Sequence, residues 1–195
     1  AIAAGCTMIL KPSKEAPLSA FILADILDEI GLPAGVFNLV SGHGSEIGNY
    51  MSSHPDVDMV SFTGSTGAGV SVSQSAAPTI KRVTLELGGK SANVALDDSD
   101  PILVAKKAIG ACHQNSGQTC SALTRLIIPE EMNEQICEII AAKNDSYLVG
   151  NPLDETTRCG PMVSSRQQSS VTEYIQSGIN EGATLISGGL GMPDG

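Results

Sequence analysis

The chain has 195 residues, 42% of them hydrophobic and only 3% aromatic, with 21 glycines and a formal net charge of −10 at pH 7. That length can bury one core and part of a second, and the apolar fraction is too large for a disordered chain. The acidic balance argues against nucleic acid or an anionic membrane as partner, since either needs a basic surface.

Taken in order, Thr7, Met8, Ile9 and Leu10 form a short apolar run closed by Lys11-Pro12-Ser13, which predicts a buried strand and its breaker. From Pro17 the apolar residues fall at Leu18, Phe21, Ile22, Ile26 and Ile30, with Asp25, Asp28 and Glu29 opposite and Gly31 just beyond. This is the pattern of an amphipathic helix. Residues 36–40 read as a second strand, completing a right-handed βαβ unit. After Gly42-His43-Gly44 the alternation repeats with a short helix to about Ser53, a strand over 57–62, a turn at Thr63-Gly64-Ser65, a helix from Thr66 and a strand over 82–87. Such alternation predicts an α/β fold with a parallel, Rossmann-like cofactor-binding sheet, ligands lying at the carboxyl ends of its strands. Lys11, the Gly42/Gly44 turn and the Gly64-Ser65 turn are therefore expected to converge on one crevice.

A boundary is placed near Gly88-Gly89, dividing residues 1–88 from the start of a second α/β domain over 89–195. There the chain is expected to form strands over 92–96 and 124–128, a helix from Asp100-Pro101 to near Asn115, helices over 132–142 and 171–179, and a last strand over 184–187. The chain begins inside an apolar run without methionine and stops in a Gly/Pro turn, so a piece of a longer polypeptide is expected. Five cysteines without a CxxC pair and three histidines are poor material for disulfides or structural zinc. With no basic-then-apolar leader and no apolar run of spanning length, the reading is of a soluble, cytoplasmic protein.

Two stretches carry the chemistry. VTLELGGKS, residues 83–91, offers the Glu86 carboxylate at a strand end; NSGQTCSALTR, residues 115–125, offers the Cys120 thiol in a segment too polar for a core. A carboxylate that primes water and a thiol that carries an acyl group are two halves of a covalent hydrolytic cycle. Alternation along the strand equally allows Glu86 as an outward-facing acid, and most cysteines are core fillers, although Cys6, Cys112 and Cys137 fit that description better. His113 is a surface or packing histidine more naturally than an activator of Cys120. The glycines at 42, 44 and 48 spell GxGxxxG, one residue longer than the common dinucleotide fingerprint, but FTGS at 62–65 adds a second anion-binding turn at a helix start. Two such turns favour a dinucleotide. Gly89-Lys90-Ser91 fails as a phosphate loop, because Thr84 stands where the first glycine belongs.

Together, LELGGKS, NSGQTC, FTGS and LKPS, in this order and spacing from about Met8 to Gly189, resemble the NAD(P)-dependent aldehyde dehydrogenase superfamily, of which the chain would be a central fragment. The resemblance implies that Cys120 is the nucleophile, its backbone N–H one oxyanion donor, and Glu86 the general base for thioester hydrolysis. It implies cofactor contacts at Lys11, Ser13, Lys14, Gly42, Thr63, Gly64, Ser65 and Leu87, a cofactor of NAD or NADP, a small-molecule aldehyde as substrate, no metal, and a homo-oligomer at full length. Lys14 replaces the acid that many NAD-preferring members carry there, so NADP acceptance is expected. The oxyanion asparagine of the family would precede Ala1 and its nicotinamide-ribose glutamate would follow Gly195, so the isolated chain is expected not to turn over. The alternatives are a non-catalytic dinucleotide-binding fragment and a coenzyme A-acylating semialdehyde dehydrogenase.

Overall fold

The computed structural model describes residues 1–144 and 147–191, and its contacts divide the chain into two units, Ala1–Leu87 and Gly88–Gly195. The first unit runs β1 (Met8–Leu10), α1 (Leu18–Glu29), β2 (Phe37–Leu39), a wide π turn (Gly44–Gly48), α2 (Asn49–Ser53), β3 (Met59–Gly64), α3 (Thr66–Ala76) and β4 (Arg82–Leu87). The second runs β5 (Ala92–Val94), α4 (Pro101–His113), β6 (Arg125–Ile127), α5 (Asn133–Asn144) and α6 (Ser165–Asn180).

All three ladders are parallel, as βα alternation demands, and the fold is α/β. The strands pair as three two-stranded ladders, β1 with β2, β3 with β4 and β5 with β6, and not as one continuous sheet. Periodicity reveals a strand and the hand of its crossover; which neighbour it bonds is a tertiary matter.

α1 ends as its glycine requires. Gly31 adopts φ 76°, its N–H bonds the Asp28 carbonyl and the Leu32 N–H bonds the Leu27 carbonyl, which together close a Schellman cap. The apolar stripe of this helix is not buried as its pattern suggests. Leu18, Phe21, Ile22, Ile26 and Ile30 are exposed, and Ala20 is the residue of α1 in the core. The small side chain lets the helix lie on β2, against which it packs.

Small residues dominate both interiors. Ala20, Val72 and Ala76 are buried in the first unit, and Ala105, Ala108, Ile109, Ala122 and Ile136 in the second, where α4 packs on α5. α4 starts as expected, with Asp100 Oδ1 accepting from the Ile102 and Leu103 N–H groups and Pro101 in the first turn.

One further expectation is refined and three are corrected. The helix expected after Gly44 runs to Ser53, but its first stretch, Gly44–Gly48, is π and only Asn49–Ser53 is α. α6 begins at Ser165, six residues before the expected start, since Ser164 caps it through the Gln167 N–H while its polar first turns show no apolar period. Residues 184–187 form no strand, having no ladder partner among the described residues, and Leu185 and Ile186 stay about half exposed. Cys6 is exposed, in the turn that follows left-handed Gly5.

Candidate active site

β3 and β4 end side by side, in a register that sets Thr63 beside Glu86 and Gly64 beside Leu87. Paired residues of a ladder share a face, so the exposed Thr63 and Glu86 stand together and the half-buried Gly64 and Leu87 face the other way. The chain enters α3 through Ser65, extended at φ −74° and ψ 154°, whose Oγ accepts from the Ala68 N–H at 3.3 Å. The start of a helix leaves backbone N–H groups without intrahelical acceptors, a natural place for an anion. A Cβ on Gly64 would lie 2.5 Å from Cζ of Phe62, so a larger residue here would require that ring to move. Gly69, which periodicity did not single out, lets α3 press on β4, since a Cβ there would sit 2.8 Å from Cδ2 of Leu87.

Lys11 leaves β1 half-buried, its ammonium donating to the Pro12 carbonyl at 2.7 Å and the Gly42 carbonyl at 3.5 Å. The structure thus joins Lys11 to the glycine turn after β2. Gly42 takes φ 154°, a conformation that L side chains rarely adopt, and a Cβ on it would crowd Cδ1 of Ile47. A Cβ on Gly48 would lie 3.9 Å from Cε of Lys11, so the last glycine of the pattern borders the lysine stem. Ser13 Oγ accepts from the Glu15 N–H at 3.2 Å, and the exposed Lys14 pairs with Glu15 at 3.3 Å. Gly64 ends the second ladder and Ser65 caps the helix that follows, and no hydrogen bond among the described residues ties either to Lys11.

In the second unit the exposed Cys120 is a central residue of a turn closed by the Ala122 N–H on the Thr119 carbonyl at 3.1 Å. Before it, α4 stops at His113 and the chain turns through Asn115 (φ 51°), Ser116 (φ 56°) and Gly117 (φ 73°), three consecutive left-handed residues. A residue with a side chain in such a position costs about 1–3 kcal/mol and persists only where its surroundings over-determine it. Gly89 comes close to the thiol-bearing residue: a Cβ there would be 3.7 Å from the Cys120 carbonyl oxygen.

Other candidates fall away on geometry. The His113 ring stacks on Tyr147 with centroids 4.9 Å apart and its Nδ1 buried, a packing arrangement. Burial pushes the Cys112 thiol up in pKa, more than the nearby Lys90 ammonium lowers it, which leaves Cys112 a weak nucleophile. Among the described residues no group of three or more His, Cys, Asp or Glu could hold a metal, and no helix is long and apolar enough to cross a membrane.

The whole chain, residues 1–195, matches the aldehyde dehydrogenase family. The chain belongs to the aldehyde dehydrogenase family. It is 50% identical over 195 residues to 3-succinoylsemialdehyde-pyridine dehydrogenase of a Pseudomonas species, covering 100% of this chain and 41% of that protein. It superposes with a TM-score of 0.97 and 47% identity on a cysteine-to-alanine variant of aldehyde dehydrogenase C from Pseudomonas syringae, crystallised with NAD+ and octanal, over 100% of this chain and 40% of that one. An NADP-dependent enzyme of E. coli gives a TM-score of 0.91 at 37% identity, over 96% of this chain and 39% of that one. The chain therefore spans about two fifths of the length of the relatives it matches.

Sequence reasoning did not single out Ser116 and Gln118, the residues that tie the Cys120 turn to a distant segment. Ser116 Oγ donates to the Gly160 carbonyl at 3.0 Å, and Gln118 Oε1 accepts from the Val163 N–H at 2.9 Å. Asn, Ser and Gly in succession signal a turn, but nothing local signals a partner 44 or 45 residues away.

Proposed function

We propose that the full-length aldehyde dehydrogenase to which this chain belongs oxidises an aldehyde to a carboxylic acid with NAD or NADP, Cys120 serving as nucleophile and Glu86 as general base. The observation that carries this reading is the exposed Cys120 at a constrained turn in a chain matching the family over its whole length. The first unit supports cofactor binding. Gly42 and Gly64 keep their turns free of side chains, the capped start of α3 offers backbone N–H groups, and Lys11 brings an ammonium, donors suited to a pyrophosphate and ribose hydroxyls. In this reading Lys11, Ser13 and Lys14 lie toward the adenosine ribose, Gly42 toward the adenine, Thr63, Gly64 and Ser65 toward the pyrophosphate, and Leu87 toward the nicotinamide.

The Cys120 thiolate adds to the aldehyde carbon, a C–S bond forms, and the carbonyl oxygen takes the negative charge, with the Cys120 backbone N–H as one donor to it. NAD or NADP, when bound, would supply the hydride acceptor that takes this carbon to the thioester level. Glu86 then takes a proton from water as the water oxygen attacks the thioester; the C–S bond breaks, the acid leaves and the Cys120 thiolate returns. A carboxylate at this position favours water over coenzyme A as acyl acceptor. We assign residues 1–88 to cofactor binding and 89–195 to the thiol-bearing domain of a homo-oligomer acting on small aldehydes.

The test is a panel of aldehydes assayed on the full-length protein with NAD and NADP in parallel, beside Cys120→Ala and iodoacetamide labelling. Cys120 should label faster than the other four cysteines of this chain, and its loss should abolish oxidation. Labelling no faster than the others, with activity surviving in Cys120→Ala, would refute the assignment.

A further inference from the structure

We infer that Ser116 and Gln118 are positioning residues for the Cys120 thiol, a two-point clamp that holds the turn before it against residues 160–163. The inference rests on Cys120 being the nucleophile. Helices commonly end with a single left-handed residue, usually glycine and sometimes asparagine. Here Asn115, Ser116 and Gly117 are all left-handed, and two of them carry side chains. Strain of that kind is kept only by its surroundings, and the surroundings can be named.

Ser116 Oγ donates to the Gly160 carbonyl at 3.0 Å, and Gln118 Oε1 accepts from the Val163 N–H at 2.9 Å. Both anchors fall on one short stretch, although they cross 44 and 45 residues of sequence. The position of the turn is thus set from outside it. Gln118 also uses the other end of its amide, Nε2 donating to the Asn115 carbonyl at 3.3 Å, while Asn115 Nδ2 donates back to the Gln118 carbonyl at 3.3 Å. Thr119 Oγ1 closes the turn on the Gln114 carbonyl at 3.3 Å. Gly117 permits the fold-back, since a Cβ there would already be 3.6 Å from the Cys112 carbonyl oxygen. Cys120 is the next residue after Thr119, so a rotation of the Gln118 amide carries the thiol and its backbone N–H with it. Both must be placed within a fraction of an ångström, and a displacement of about 1 Å costs about a hundredfold in rate.

The experiment uses the full-length protein. Gln118→Leu removes both hydrogen bonds of the side chain, Gln118→Glu keeps an oxygen for the Val163 N–H, and Ser116→Ala removes the other anchor. For each, kcat, the KM for aldehyde and cofactor, the alkylation rate of Cys120 and the thermal midpoint are measured. Gln118→Leu should lower kcat by about a hundredfold and Ser116→Ala by about tenfold, with the cofactor KM within about twofold of the parent; Gln118→Glu should recover most of the loss. Parental kcat in Gln118→Leu and Ser116→Ala, no recovery in Gln118→Glu, or losses that merely track the thermal midpoint would overturn the clamp. Should Gln118→Leu not fold, Ser116→Ala decides, and parental kcat there overturns it. Cys120→Ala separates the two readings. If it still oxidises aldehyde, the nucleophile assignment falls; if it is inactive while Gln118→Leu is fully active, the clamp alone falls.

Discussion

Glu86 shares a strand face with Thr63, at the end of the ladder that leads into the Ser65 helix start. A carboxylate so placed is available to a water molecule, and its proposed role separates two halves of the reaction. Glu86→Gln should give a burst of reduced cofactor near one equivalent, followed by turnover at least about a hundredfold slower; an unchanged steady-state rate would remove Glu86 from the mechanism. Lys14, whose ion pair with Glu15 lies on the surface, addresses cofactor choice. Lys14→Glu should shift the NADP-to-NAD ratio of kcat/KM toward NAD by about tenfold or more, the worth of one hydrogen bond to a charged group. Cys112 has a sign that can be worked out. Its thiol is raised in pKa by burial, so above the ordinary thiol value of about 8.5 the unfolded state gives up its proton more readily than the folded one. The contribution of Cys112 to stability is therefore full below that pH and lost as pH rises toward the folded value, and Cys112→Ala should flatten the alkaline limb of a urea stability profile. Motif residues were readable because each of these chemistries needs a particular side chain. Their exposure was not: Cys6 fits a buried pattern and lies in the open.

At the scale of elements, caps and glycines were the legible signals and faces were not. Asp100-Pro101 starts α4 and Gly31 ends α1, as local hydrogen bonding requires. The stripe of α1 says that one side of the helix is apolar, yet the core of this chain takes Ala20 from it. Gly69 illustrates what only packing reveals, since its need arises from Leu87, far along the sequence. Gly69→Val should destabilise the full-length protein by about 1–3 kcal/mol in urea unfolding, the usual range for overpacking. A change within about 0.3 kcal/mol would mean that α3 does not press on β4 as described. The strand expected over 184–187 failed for the complementary reason: apolar residues propose a strand, but a ladder partner completes it.

For the whole molecule, the division into Ala1–Leu87 and Gly88–Gly195 separates the turns offered for the cofactor from the turn that carries the thiol. The chain represents about two fifths of its relatives, so the proposed activity belongs to the full-length protein. Expressed alone, residues 1–195 should show no aldehyde-dependent reduction of NAD or NADP above background, where the full-length protein turns over; appreciable activity of the short chain would show that its own donors suffice for the oxyanion.

What the sequence determined by itself was the α/β alternation and the parallel sense of the strands, and it nominated the residues proposed for the covalent chemistry. Those follow from hydrophobic period, helix caps and the reactivity of single side chains, all of which are local. Tertiary structure alone decided that the strands pair in three separate ladders, that Lys11 meets Gly42, and that Ser116 and Gln118 reach residues 160–163. Hydrogen bonds across 31 to 45 residues depend on how elements pack, and no local pattern records their partners.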